Sequence, residues 1–343
     1  MRRSVRKIGW RIADGRGLTL ALLLAVFGPS GLAACAAAAG RGQTSGPGNA
    51  ADEETRGEQR TTPRVSLSPQ SVDPGGITVV VIDDPGVAPA RASVRLEGGS
   101  PIAFFVGADS RLRALVGVDL ATPPGRYPLV VEALSARPEG EPESVRATVT
   151  LTVRRKNFPR EDLRVARKYV EPDARTLTRI WREQARLDAI LAKHVPQRLW
   201  SGPFLIPADG PLGSPFGLRR FFNGQERRPH AGQDLRVPEG TPVIAAQAGK
   251  VVLAASHFFS GNTVVLDHGL GLFTFYFHLA SFRVMEGAAV DRSELLGYSG
   301  KTGRVTGPHL HWAARLNGAR VDPLILTKDP AAEDTLHERE ARH

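Results

Sequence analysis

Cysteine is all but missing from this sequence: Cys35 stands alone among 343 residues, so no disulfide can form within the chain. A long apolar run is missing too. The run LTLALLLAVF at 18–27 falls short of the roughly 20 residues that a membrane-spanning helix needs. Three familiar signatures also fail. SGKTG at 299–303 would need glycine at 295 to complete a phosphate-binding loop, and Leu295 stands there. GYSGK at 297–301 places Lys301 where a nucleophile elbow requires its second glycine, and no H-E-x-x-H occurs. Nor is there a concentrated basic patch. The formal charge is +10, but half of it comes from the first 16 residues, where Arg2, Arg3, Arg6, Lys7, Arg11 and Arg16 outweigh Asp14. The other arginines are scattered, which argues against nucleic acid as a partner and leaves a modest surplus suited to an anionic surface.

What is present begins with an export signal over residues 1–35: a basic start, the apolar run, then GPSGLAAC. Leu32-Ala33-Ala34-Cys35 resembles the bacterial lipobox, which implies that Cys35 is acylated and anchors an exported protein to a membrane facing the periplasm or cell envelope. The competing reading is ordinary cleavage within the alanines at 33–39. Arg2-Arg3 leaves a twin-arginine route open.

Residues 36–62, of Ala, Gly, Ser, Thr and charge, read as a flexible tether. From 63 to 154 short apolar runs (RVSLSP, ITVVVID, ASVRLEG, IAFFVG, LRALVGVDL, YPLVVEAL, VRATVTLTV) alternate with Pro/Gly/Asp turns. Seven such strands predict an immunoglobulin-like β-sandwich. It gathers no acids, histidines or aromatics into a site, so a spacer or docking module is expected. Over 155–200 the pattern turns helical, with Leu177, Ile180, Trp181, Leu187, Ile190 and Leu191 at three- and four-residue spacings, Pro172 in the first turn and His194 in the last. From 201 to 327 further runs, among them KVVLAASH, NTVVLDHG and LFTFYFHL, predict an antiparallel β domain, followed by a polar tail at 328–343. The class is mainly β.

Within that last domain, RPHAGQD, FYFHLA and GPHLHW place four histidines and an aspartate where one metal site could gather them. His230 and Asp234 are four apart and His309 and His311 two apart, so on extended chain each pair points one way. A catalytic zinc keeps three protein ligands and one open position, which would leave two of the five residues for proton chemistry.

These motifs, with SPFGLRR at 214–220, GTPVIAAQAGKVV at 240–252 and GKTGRVTGPHLHW, resemble the lysostaphin-type zinc endopeptidases of peptidoglycan, peptidase family M23, over about 205–326. The resemblance implies one zinc ion held by His230, Asp234 and His311. It further implies catalytic roles for His309 as general base and His278 as an orienting or oxyanion-stabilising group. The implied substrate is the peptide part of peptidoglycan, with D-alanyl-diaminopimelate cross-bridges the expected bond. A regulatory protein partner is left unidentified. Two other functions stay open: a non-catalytic activator or scaffold of a cell-wall amidase, and a peptidase acting on proteins such as glycine-rich ones. Among nearby residues, His268 reads as a surface or turn histidine, and His257 as a groove residue without support. Asn223 reads as part of a groove-walling loop, and Tyr276 as core or groove wall.

Overall fold

A computed structural model of the protein describes residues 64–83, 87–96, 99–135 and 143–331. Cys35, the leader, the tether at 36–62 and the tail beyond 331 lie outside the described residues. What is described is mainly β, with a single α-helix among the described residues, as the alternating runs predict.

Two sheets form the first domain. One orders Arg64–Ser68, Ile77–Asp83, Leu112–Gly117 and Phe105–Val106. The other orders Ser71–Val72, Glu143–Val153, Gly125–Ser135, Val87–Leu96 and Ile102–Ala103. Between them Val80, Ile82, Ala114 and Val116 meet Val94, Leu129, Val131 and Leu151. The outer face of the first sheet is buried as well. Ile77, Val79, Val81, Leu115 and Phe105 join a core shared with Trp200, Leu272, Leu316 and Leu326 of the downstream domain. Burial on both faces is why ITVVVID is a continuous apolar run and not an alternating one. At the same junction Phe105 meets Trp200 edge to face, with ring centroids 5.8 Å apart, and the Arg320 guanidinium donates to both oxygens of Asp119 at 2.9 and 2.6 Å.

The segment expected to be purely helical is not. It first forms the strand Arg160–Leu163, which pairs in parallel with Arg219–Phe222. A short 3-10 turn at Arg167–Tyr169 follows, and only then the helix Ala174–Leu191. The charged tetrapeptide REDL carries no apolar alternation; backbone pairing and the Glu161–Arg220 ion pair hold it instead. Asp173 caps the helix, its carboxylate accepting from the Thr176 N–H at 2.7 Å, so Pro172 stands ahead of the first turn. The helix ends at Leu191, which leaves His194 beyond the last turn. Leu187, Ile190 and Leu191 pack on Leu253, Phe273 and Phe275, whereas Trp181 is 60% exposed and off that face.

The downstream domain is a nine-stranded sheet whose main path runs Gly232–Leu235, Leu310–Leu316, Leu272–Phe282, Gly261–Asp267, Gly249–His257, Ala289–Val290. All its pairings are antiparallel. On the two central strands Leu272 pairs with Leu316 and Phe277 with His311. Leu316 and Leu272 belong to the core shared with the sandwich. The sandwich therefore docks at one end of these strands and the histidines gather at the other, about 17 Å away along the sheet.

His268 corrects the expectation of a surface histidine: it is fully buried. LDHG does precede a glycine turn, but the ring folds inward to Phe204, where its Nδ1 meets the Ala248 carbonyl at 2.7 Å and its Nε2 the Thr274 hydroxyl at 2.7 Å. Since a carbonyl can only accept, Nδ1 carries the hydrogen and the Thr274 hydroxyl donates to Nε2. Burial lowers the pKa of His268 to about 4. An unfolded histidine near 6.5 takes up a proton first as pH falls, so folding stability is complete above about 6.5 and declines by roughly 3 kcal/mol on the way to 4. His268→Gln removes this part of the loss. Urea midpoints of both proteins at pH 7 and 4.5 should show a smaller acid shift for the variant, and equal shifts would refute the assignment.

Candidate active site

Asp234 lies directly opposite His311 in the antiparallel ladder. That register brings Asp234 Oδ1 within 2.8 Å of His311 Nδ1. His230, just ahead of the same strand, adds its Nε2 at 2.9 Å from Asp234 Oδ1 and 2.8 Å from His311 Nδ1. All three residues are buried. The Pro215 carbonyl sits 2.7 Å from His230 Nδ1 and claims its hydrogen, leaving Nε2 with a bare lone pair. Two imidazoles and a carboxylate thus turn electron-rich atoms toward one point, an arrangement that a cation satisfies and that an empty interior would not. The chemistry of this donor set fits a single metal ion.

Phe277 and Arg220 hold these donors in place. Phe277 stacks on the His311 ring at 5.1 Å with the planes 6° apart. Arg220 Nη2 donates to the second oxygen of Asp234, Oδ2, at 3.1 Å, while its Nε donates at 2.9 Å to Glu161 from the preceding segment. Burial pushes the Asp234 carboxyl up, but the facing His230 and His311 outweigh it and hold the group well below the ordinary carboxylate range. Burial lowers His311 to about 4.

The two remaining histidines face the same groove. Strand alternation would send Phe277 and His278 to opposite faces. His278 instead adopts φ +64°, in the left-handed region, where the pairing of the Leu272–Phe282 strand with Gly261–Asp267 shifts register between Tyr276 and Leu279, so that both side chains reach the groove. Its Nδ1 donates to the Thr302 carbonyl at 2.8 Å, which leaves Nε2 as an acceptor. Burial, then the nearby His309 and His311, push its pKa well down. His309 Nδ1 is tied to the Gly307 carbonyl at 2.9 Å, and its Nε2 lies 3.9 Å from Asp234 Oδ1. The ring centroids of His278 and His309 are 4.9 Å apart.

All five residues singled out from sequence therefore meet in one groove of about 400 Å³. His257 lies outside its lining and Tyr276 is core. Asn223 does not line it either; its side chain bonds both backbone groups of Val165 and staples that segment to the domain. The structure adds Glu161, Leu163 and Val165 from the REDL strand and the residues after it, together with Arg220 and Arg304. Arg220 and Arg304 lie within the motifs SPFGLRR and GKTGRVTGPHLHW, whereas Glu161, Leu163 and Val165 carried no sequence signal.

The model of peptidase family M23 matches residues 228–323. A crystal structure of a protein assigned to peptidase M23 from Pseudomonas aeruginosa is 34% identical, with TM-score 0.59, covering 74% of this chain and 94% of that one. The chain belongs to peptidase family M23. Its M23 domain is also similar to the peptidoglycan DD-endopeptidase ShyA of Vibrio cholerae, 41% identical over 114 residues, 33% of this chain and 26% of that protein. It is 42% identical over 115 residues to the DD-carboxypeptidase/endopeptidase Mpg of Neisseria meningitidis, 34% of this chain and 26% of that protein. The chain thus spans about a quarter of the length of these curated M23 relatives.

Gly232, inside HAGQD, tests the ligand geometry. A Cβ there would stand 2.7 Å from His311 Nε2 and 2.5 Å from the Trp312 carbonyl, so the ladder or the ring must shift. Gly232→Ala should weaken metal binding by about ten- to a hundredfold and cost about 1–3 kcal/mol of stability. Metal titration and thermal melting measure both; unchanged metal affinity would show that His311 is not held there.

Proposed function

We propose that this chain is a zinc-dependent endopeptidase that hydrolyses peptide cross-links of bacterial peptidoglycan. One observation carries the reading: a buried His–Asp–His donor set faces the same groove as two further histidines, each with Nδ1 tied to a backbone carbonyl. His230, Asp234 and His311 hold the metal. When bound, zinc supplies Lewis acidity that polarises a peptide carbonyl and makes a neighbouring water acidic.

The chain's own residues supply the rest. His309, half-buried at the groove, accepts the proton of the attacking water at Nε2 and returns it to the leaving amine. Neutral His278 offers a lone pair at Nε2, so it is better suited to orienting that water by accepting a hydrogen bond than to donating to an oxyanion. Arg220 keeps the Asp234 carboxylate turned toward the histidines. The relatives named for DD-endopeptidase activity support cross-links as the substrate. The lipobox at 32–35 supports an enzyme anchored through an acylated Cys35 on the periplasmic side of an envelope membrane.

Zinc content and muropeptide digestion, measured on the same preparation, test the reading. Wild type should hold one zinc per chain and shorten dimeric muropeptides. His309→Ala should keep the metal and lose about 10²–10⁴ in rate, and His311→Ala should lose both. Zinc-loaded protein that leaves dimers intact would overturn the substrate, and protein that takes up no zinc would turn attention to a scaffold role. For the anchor, Cys35→Ser should move the protein from the membrane to the soluble fraction of the envelope; continued membrane association would exclude acylation as its cause.

A further inference from the structure

One half-buried cation in the groove has no anion among the described residues. The Arg304 guanidinium lies over two rings, its carbon 4.3 Å from the centroid of Phe222 and 4.6 Å from that of Phe259. Its side chain makes no hydrogen bond or ion pair among the described residues. The groove's two carboxylates, Glu161 and Asp234, are both engaged by Arg220, and Arg228 and Arg236 also line it without an ion pair among the described residues. Burial first, then the charges of Arg220 and Arg227, lower the pKa of Arg304 to about 10, so it stays charged at neutral pH in surroundings that hold no counter-charge for it.

Its place in the chain ties it to the chemistry. Arg304 N–H donates to the Phe259 carbonyl at 2.8 Å. The next residue, Ser260, accepts from the His278 N–H at 2.9 Å, and Thr302, two residues before Arg304, holds the His278 ring. The guanidinium thus lines the groove on a segment tied to that of His278, a catalytic candidate. Contact with two rings restricts the fork before any ligand arrives, and a planar fork held in this way recognises a carboxylate with little loss of freedom. Leaving a half-buried cation unpaired is unfavourable, and a ligand anion would relieve it.

We propose that Arg304 is a specificity-determining residue that binds a free carboxylate of the substrate close to the bond cut. The substrate class is then an acidic peptide, and a neutral one such as a glycine run leaves the guanidinium unpaired. The inference rests on the peptidase reading above, and it names the substrate chemistry that the reading leaves open.

The test uses two synthetic cross-linked stem peptides, identical except that the carboxylates flanking the cross-link are free in one and carboxamides in the other. Cleavage (kcat/KM) and equilibrium affinity are both measured for wild type, Arg304→Gln and Arg304→Lys, with melting curves to establish folding. Wild type should favour the free acid by about ten- to a hundredfold. Arg304→Gln should bring that ratio near one. Arg304→Lys, which keeps charge but loses the planar fork, should fall between, and it carries the test if the glutamine variant does not fold. Equal handling of both peptides by wild type, or a ratio unchanged in the variants, overturns the proposal while cleavage itself upholds the peptidase reading. If neither peptide is cut, the peptidase reading fails, and the affinity ratio still decides whether Arg304 reads a carboxylate.

Discussion

The site depends on an electrostatic constraint: three electron-rich atoms, His230 Nε2, Asp234 Oδ1 and His311 Nδ1, are held within 2.9 Å of one another in a buried interior. Such a cluster is unfavourable on its own, so the fold must hold it from outside. The antiparallel register sets Asp234 opposite His311, the Pro215 carbonyl fixes the His230 tautomer, and Phe277 blocks rotation of the His311 ring. Arg220 occupies the carboxylate oxygen that faces away. The supports are backbone geometry, a rigid stack and one side-chain ion pair, and preorganisation of this kind lets a cation bind without paying to assemble its ligands.

The same economy explains the left-handed backbone at His278. A regular strand offers a groove every second residue, but this site needs Phe277 to stack on His311 and the next residue to face the groove as well. One irregularity meets both demands. A non-glycine residue with positive φ costs about 1–3 kcal/mol, and the His278 N–H to Ser260 and ring to Thr302 bonds help to hold it. Strain is thus located where two adjacent side chains must serve one face.

Much of this was legible in the sequence, for identifiable reasons. Strand alternation and glycine turns place KVVLAASH, NTVVLDHG and LFTFYFHL correctly, and the spacings in HAGQD and HLH survive folding because both lie on or beside extended chain. His268 was misjudged because a histidine before glycine looks like a turn, and nothing local reveals that Ala248 and Thr274 wait inside to satisfy it. The strand Arg160–Leu163 was invisible because REDL has no apolar side to alternate; its pairing is encoded in the partner strand. Arg304 lies within GKTGRVTGPHLHW, but nothing in that motif singles it out. Its meaning depends on Phe222 and Phe259, distant in sequence, and on the absence of a carboxylate beside it among the described residues.

These misses alter how the molecule is divided. A boundary drawn at 201 from the change in sequence texture separates Arg160–Leu163 from Arg219–Phe222, the strand it pairs with. It also removes Glu161, whose carboxylate holds the Nε of the arginine that supports Asp234. The segment that looks like a linker therefore builds one wall of the groove and balances a charge one step away from the His–Asp–His donor set. Upstream of it, the sandwich shares its outer core with Trp200 and Leu316, so its docking fixes the far end of the strands that carry His278 and His311. The geometry of the groove is consequently a property of the segments from 64 onward acting together, with the histidine-bearing sheet as the element that the others hold in place.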